Sequence, residues 1–204
     1  FTPYGTNDEL MNSLRASAGE GFDVIMPTVD RVPGYLDYDL IQPLDESRIN
    51  WGGALDSAIS GSETGGVVDG KRCFAPSDRG TGAITWHRRY ADIDRTNLSY
   101  ADLWNPEHGQ GVTVRGHSAL VGIGLWLERE GGLPHPLLDS YRSEEAMRAN
   151  FDVILEEAIK HKELLVQFWN TENEAQAAFR TNGAIIGQTW DSTAFRLIQE
   201  GDGI

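Results

Sequence analysis

A single cysteine, Cys73, stands in a chain of 204 residues. One thiol excludes an internal disulfide and a cysteine-rich zinc site. In Lys71-Arg72-Cys73-Phe74 it reads as a small strand residue rather than a nucleophile, because free cysteine is usually buried. Long apolar runs are also missing, and the longest resemble Ala184-Ile185-Ile186 and Leu164-Leu165-Val166. A bilayer-spanning helix needs about 20 such residues in a row, so none is expected. Positive charge is scarce: 17 Lys and Arg face 31 Asp and Glu, a net charge of −14. That argues against binding nucleic acid through the field of the whole molecule. It suits solubility and cationic ligands, and still allows a local basic pocket.

The five histidines, His87, His108, His117, His135 and His161, show no metal-ligand spacing. No Gly-x-x-x-x-Gly-Lys loop and no Gly-x-Gly-x-x-Gly turn occurs, so neither a metal nor a cofactor is expected. Repeats and low-complexity tracts are absent. The chain starts at Phe1 rather than Met, which reads as a processed or trimmed product. The N-terminus therefore speaks neither for nor against export.

What is present is an ordinary globular balance, 40% hydrophobic and 24% charged, with length for one or two domains. Thr6-Asn7-Asp8-Glu9 is a capping box ahead of Leu10, Met11 and Leu14, and Gly19 and Gly21 end that helix. Residues 22–26 read as a strand stopped by Pro27. Residues 30–45 read as a short helix or turns, and the glycine-rich 52–70 as loop. Strands are expected at 72–75, 83–86, 111–114, 163–168 and 184–190. Ser99 opens a second capping box and Thr171 a third. Ser118 is expected to cap a helix with Leu120, Val121, Ile123, Leu125 and Leu127. Ser143 opens a longer helix with Met147, Phe151, Ile154, Leu155, Ala158 and Ile159 on one face. Helices alternating with strands give an α/β fold with mostly parallel strands. The one domain junction that composition offers lies near residues 88–97.

Three features could carry chemistry. Val114-Arg115-Gly116-His117-Ser118-Ala119 approaches a nucleophile elbow, but Leu120 stands where the second glycine belongs. Its plain reading is a helix N-terminus; the alternative is a serine hydrolase using Ser118 with His117 or His161. Trp169 and Trp190 end two strands, and polar residues including Glu172 and Asp191 follow them. Ligands of open α/β sheets bind beyond the carboxyl ends of strands. An aromatic wall beside a carboxylate suits an ammonium group, while burial in the core is the competing reading of both tryptophans. Arg31, Arg79 and Arg115 stand at comparable places and could hold a carboxylate or phosphate, or be solvated surface residues.

The order of motifs adds a family. Tyr4-Gly5-Thr6-Asn7-Asp8-Glu9-Leu10, Phe22-Asp23-Val24-Ile25-Met26-Pro27-Thr28 and Leu40-Ile41-Gln42-Pro43-Leu44-Asp45 resemble segments of the spermidine/putrescine-type solute-binding proteins. The likeness continues at 76–86, at Ser99-Tyr100-Ala101-Asp102-Leu103-Trp104-Asn105-Pro106-Glu107, and at Gly187-Gln188-Thr189-Trp190-Asp191-Ser192. The resemblance implies a type 2 periplasmic-binding-protein fold with mostly parallel sheets, two α/β lobes and a hinge. It places part of the first lobe at 1–90, the second at 91–200, and hinges near 86–97 and after 196. It implies a non-enzymatic, monomeric substrate-binding component of an ABC importer. Such a protein sits in the periplasm or lipid-anchored on the outer face, delivers a small solute to a membrane permease, and needs no cofactor, metal or nucleic acid. Family chains are longer at both ends, so this one reads as truncated with an incomplete N-terminal lobe.

Carried over residue by residue, the resemblance implies ligand contacts from Thr28, Asp30, Asp78, Arg79, Arg115, Ser118, Trp169, Glu172, Trp190 and Asp191. Arg115 and Ser118 match the acidic pair that holds ammonium groups in the family, and Arg79 falls near a tryptophan position. Two ligand readings follow. One is an amine held by Asp191, Glu172 and the tryptophans; the other is a zwitterion or carboxylate whose acid end meets Arg115 and Arg79. A non-transport interaction module is a third class.

Overall fold

The structure, a computed structural model, describes residues 2–90 and 93–204. The chain divides into two compact units, Phe1–Arg79 and Gly80–Ile204.

In the first unit, helix α1 (Asn7–Ser17) begins as its sequence dictates. Thr6 Oγ1 accepts from the Glu9 amide at 3.1 Å, and Glu9 Oε2 reaches back to the Gly5 amide at 2.7 Å. This is the expected capping box with its return bond displaced by one residue. The helix ends on the left-handed residue Ala18 and then Gly19, at φ 81°. Its buried face, Leu10 and Leu14, packs on Tyr35 of α2 (Val32–Leu36), with Phe22, Ile25, Leu40 and Ile41 around it.

Three expectations change here. Residues 22–26 form no strand; they run extended, with Val24 84% exposed. A strand exists only when a neighbour completes its hydrogen-bond ladder, and none lies alongside among the described residues. Residues 52–70 are not simply loop. They hold α3 (Asp56–Gly61), α4 (Glu63–Gly66) and strand β1 (Val67–Val68), which pairs antiparallel with β2 (Lys71–Arg72). The glycines there permit close approach: a Cβ on Gly65 would lie 2.8 Å from the Val29 oxygen, and one on Gly66 2.9 Å from Phe74 Cβ. The strand expected at 72–75 therefore shrinks to β2, where buried Arg72 meets Glu46 at 3.2 Å and Glu63 at 3.3 Å.

The second unit is built on β3 (Gly82–Trp86), β4 (Val112–Val114), β5 (Leu165–Phe168) and β6 (Ile186–Trp190), in the order β3-β6-β4-β5. Strands β4, β5 and β6 are parallel, and β3 runs antiparallel to β6. Helices α5 (Gly116–Arg129), α6 (Glu144–Lys160), α7 (Glu172–Arg180) and α8 (Asp191–Gln199) cover the sheet. The period of two on β6 separates its faces. Ile186 joins the cluster of Val112, Val114, Ile123 and Ile154. A Cβ on Gly187 would instead come within 3.3 Å of the Phe179 ring, part of the cluster with Ala178, Ala184 and Leu197. Helix α5 makes room for neighbours with glycine: a Cβ on Gly122 would meet the Tyr100 ring at 3.0 Å, and one on Gly124 would meet Leu137 at 2.8 Å.

β3 pairs with β6, so residues 80–90 pack with the second unit; residues 91 and 92 lie outside the described residues. Two further readings change. Ser118 does not cap α5. Arg115 holds the cap position without a side-chain cap bond, and Ser118 is the third helical residue. On α6, Ile154 is buried while Met147, Leu155 and Ile159 are exposed, because the apolar stripe is wider than the surface it packs against.

Candidate functional site

Parallel strands put their carboxyl ends on one edge of the sheet. Here β4 is followed by Arg115, β5 by Trp169 and Asn170, and β6, which ends at Trp190, by Asp191. Antiparallel β3 begins at the same edge, since Gly82 pairs with Trp190. Segments separated by tens of residues thus converge: Thr81, Arg115, Trp169, Trp190 and Asp191. Ser118 and Glu172 lie in the first turns of the helices that leave this edge.

The two tryptophans play different parts. Trp169 is only 1% exposed. Its amide donates to the Val114 oxygen at 3.1 Å and its indole N–H to the Gln188 oxygen at 2.9 Å. It therefore ties β5 to β4 and β6 from beneath. Trp190 is half-buried and stands edge-on to Trp169. The guanidinium carbon of Arg115 lies 5.3 Å from the Trp190 ring centre and 6.0 Å from that of Trp169. Both distances fall within cation–π range, and Arg115 is half-buried.

The carboxylates face their own chain. Asp191 Oδ2 accepts from the Thr81 amide and hydroxyl, both at 3.3 Å, and Oδ1 accepts from the Ser192 amide at 2.8 Å. A Cβ on Gly80 would come within 3.1 Å of Asp191 Oδ1, so the residue before Thr81 passes close by. Glu172 Oε1 accepts from Gln176 Nε2 at 3.1 Å. Glu174 completes the expected box with Thr171: its Oε2 takes the amides of Asn170 at 2.7 Å and Thr171 at 3.1 Å. Those backbone donors hold its pKa below the usual carboxylate value.

Ser118 Oγ and His117 Nε2 are 3.4 Å apart, beyond the 2.6–3.2 Å typical of a nucleophile and its base. The remaining expected residues belong to the first unit and are exposed. Thr28 exchanges bonds with Asn7, Oγ1 accepting at 2.9 Å and the amide donating at 3.3 Å. Asp30 pairs with Arg31 at 3.4 Å, which places that arginine in an ion pair. Arg79 donates to Ser57 Oγ at 3.0 Å. The Tyr4 hydroxyl, held on the Met26 oxygen, has its pKa raised by burial and by the negative charge of Asp78. Thr81 and Gln188 escape a sequence reading. Thr81 precedes a strand without any motif, and buried Gln188 reads as an ordinary inner strand residue.

No family model matches the sequence. No curated protein matches it either. Solved structures do. A spermidine/putrescine ABC transporter substrate-binding protein, PotD, from Streptococcus pneumoniae superposes with a TM-score of 0.64 at 17% identity, over 97% of this chain and 56% of its own. An ABC transporter protein from Clostridium perfringens gives 0.60 at 14% identity, over 98% of this chain and 57% of its own. The fold is that of the periplasmic binding proteins. The chain spans a little over half the length of both. Within the periplasmic-binding-protein fold, the edge that gathers Arg115, Trp190 and Asp191 is the carboxyl edge where open α/β sheets receive ligands. Among the described residues no helix is long and apolar enough to cross a membrane, and no His, Cys, Asp and Glu cluster could hold a metal.

Proposed function

We propose that the chain is the substrate-binding component of an ABC importer, capturing a small polar solute at the carboxyl edge of the second unit's sheet. The observation that carries this is the convergence of Arg115, Trp190 and Asp191 at that edge, in a fold shared with ABC transporter proteins. The solute is an amine of polyamine type or an amine/acid zwitterion. Thr28, Asp30, Asp78 and Arg79 are the contacts proposed for the first unit, and Ser118, Trp169 and Glu172 complete those of the second. The work is binding without catalysis: ligand contacts favour a closed state, about hinges near 86–97 and after 196. The partner is a membrane permease. The protein acts as a monomer in the periplasm, or lipid-anchored on the outer face.

A thermal-shift screen with putrescine, spermidine, amino acids and small carboxylates tests the role. A solute at 100 times its Kd adds about 2.7 kcal/mol of stability, and at least one member is expected to raise the melting temperature. A flat response across the panel counts against the importer reading.

A further inference from the structure

We infer that Gln188 is a specificity-determining residue of this edge, its side-chain oxygen receiving an N–H of the solute's amino group. The inference deepens the binding-protein reading and rests on it.

Gln188 lies on β6 two residues before Trp190, so the period of two puts both side chains on one face of the sheet. Its main chain is fixed, because the carbonyl oxygen accepts the Trp169 indole N–H at 2.9 Å. Its side chain is in a different position. The residue is 4% exposed, and among the described residues Oε1 has no hydrogen-bond partner. Buried amide oxygens are ordinarily paired, because desolvating one without a bond costs free energy. The fold does not ask for an amide here. Ile186 along the strand and Ile84 across it share the face and are apolar, and a methionine would fill the same length with no polar atom unmet.

The amide leans toward the carboxyl edge. Gln188 pairs with Ile84, yet its Nε2 lies 3.6 Å from where a Cβ on Gly82 would stand, and Gly82 pairs with Trp190. Gly82 is exposed and has no side chain to cover that approach. The Tyr100 hydroxyl donates to the Gly82 oxygen at 2.8 Å and steadies this rim. The last torsion of a glutamine is broad and roughly two-fold, so a half-turn exchanges the two amide atoms and brings the oxygen to the Gly82 side. An acceptor left unmet by the protein, beside the half-buried ring of Trp190, matches an N–H donor of the solute.

The test is isothermal calorimetry and thermal denaturation of the full chain and of Gln188→Met. The probes are putrescine, spermidine, glutamate and 4-aminobutyrate, each beside its fully N-methylated counterpart, which has no N–H to give. At least one amine is expected to bind the parent. Gln188→Met should melt at or above the parent, as expected when a residue kept for function is replaced by one that suits the core. It should bind that amine at least tenfold more weakly, which is about 1.4 kcal/mol. The preference for the amine over its methylated counterpart should shrink with it. A Gln188→Met protein that melts lower or fails to fold shows that the amide serves the core, and overturns the inference. Unchanged amine affinity in Gln188→Met overturns it too, while sustaining the binding-protein role. An absence of binding by every probe to the parent overturns both.

Discussion

Trp190 stands edge-on to Trp169, with ring centres 5.0 Å apart and planes at 80°. One ring is buried, the other borders solvent, and the two should respond differently to truncation. Trp169→Ala should cost about 3–5 kcal/mol of stability, as large-to-small core changes do. Trp190→Ala should leave the fold nearly intact and remove about 1–2 kcal/mol of solute binding. Urea denaturation and calorimetry on both variants separate the effects. Equal destabilisation would place Trp190 in the core instead of at the ligand.

Asp191 should matter to the start of β3. It takes the Thr81 amide and hydroxyl and the Ser192 amide. Asp191→Ala should cost about 1 kcal/mol, the usual scale for a lost helix-terminal acceptor. Amide exchange at Thr81 should speed up with it, and Asp191→Asn should retain most of the protection. Unchanged exchange in the alanine variant would show that the contact does not hold this segment.

Acid should loosen the start of α7 through Glu174. Its carboxylate is favoured in the folded state by the Asn170 and Thr171 amides, so its folded pKa lies below the unfolded one. The resulting stability is present above about pH 4.3, the unfolded glutamate value, and is lost as pH falls through the lower folded pKa. Glu174→Gln should flatten that part of the pH–stability curve. Identical curves for the two proteins would remove Glu174 from the account.

Gly187 is the tightest point of the sheet. A Cβ there would lie 2.4 Å from the Thr113 oxygen and 2.5 Å from its methyl. Gly187→Ala should cost at least about 1–3 kcal/mol through overpacking, read as a lower melting temperature. A variant as stable as the parent would mean that β4 and β6 can separate without loss.

Much of the second unit was legible because its signals are local. Ser143 caps α6, Thr171 and Glu174 cap α7, and the strands expected at 111–114 and 184–190 appear at 112–114 and 186–190. Convergence was not legible in the same way. That β6 lies between β3 and β4 depends on pairings across some 75 to 105 positions, which no local pattern encodes. The resemblance in motif order supplied that link for Arg115, Trp190 and Asp191. It gave nothing on Thr81, and it could not separate buried Trp169 from half-buried Trp190. Residues 22–26 failed for a related reason: their composition suits a strand, but pairing is a property of two segments and not of one.

Helix α5 carries glycines of two kinds. Gly122 and Gly124 are gripped by Tyr100 and Leu137, while a Cβ on Gly116, the first residue of the helix, would meet nothing within 4 Å. Tolerance to change therefore runs along one helix, from fixed at its middle to permissive at its head. Random mutagenesis should recover almost no substitutions at 122 and 124 and many at 116. A lineage could alter the head of this helix, at the carboxyl edge of the sheet, and the packing that specifies the fold would not register the change.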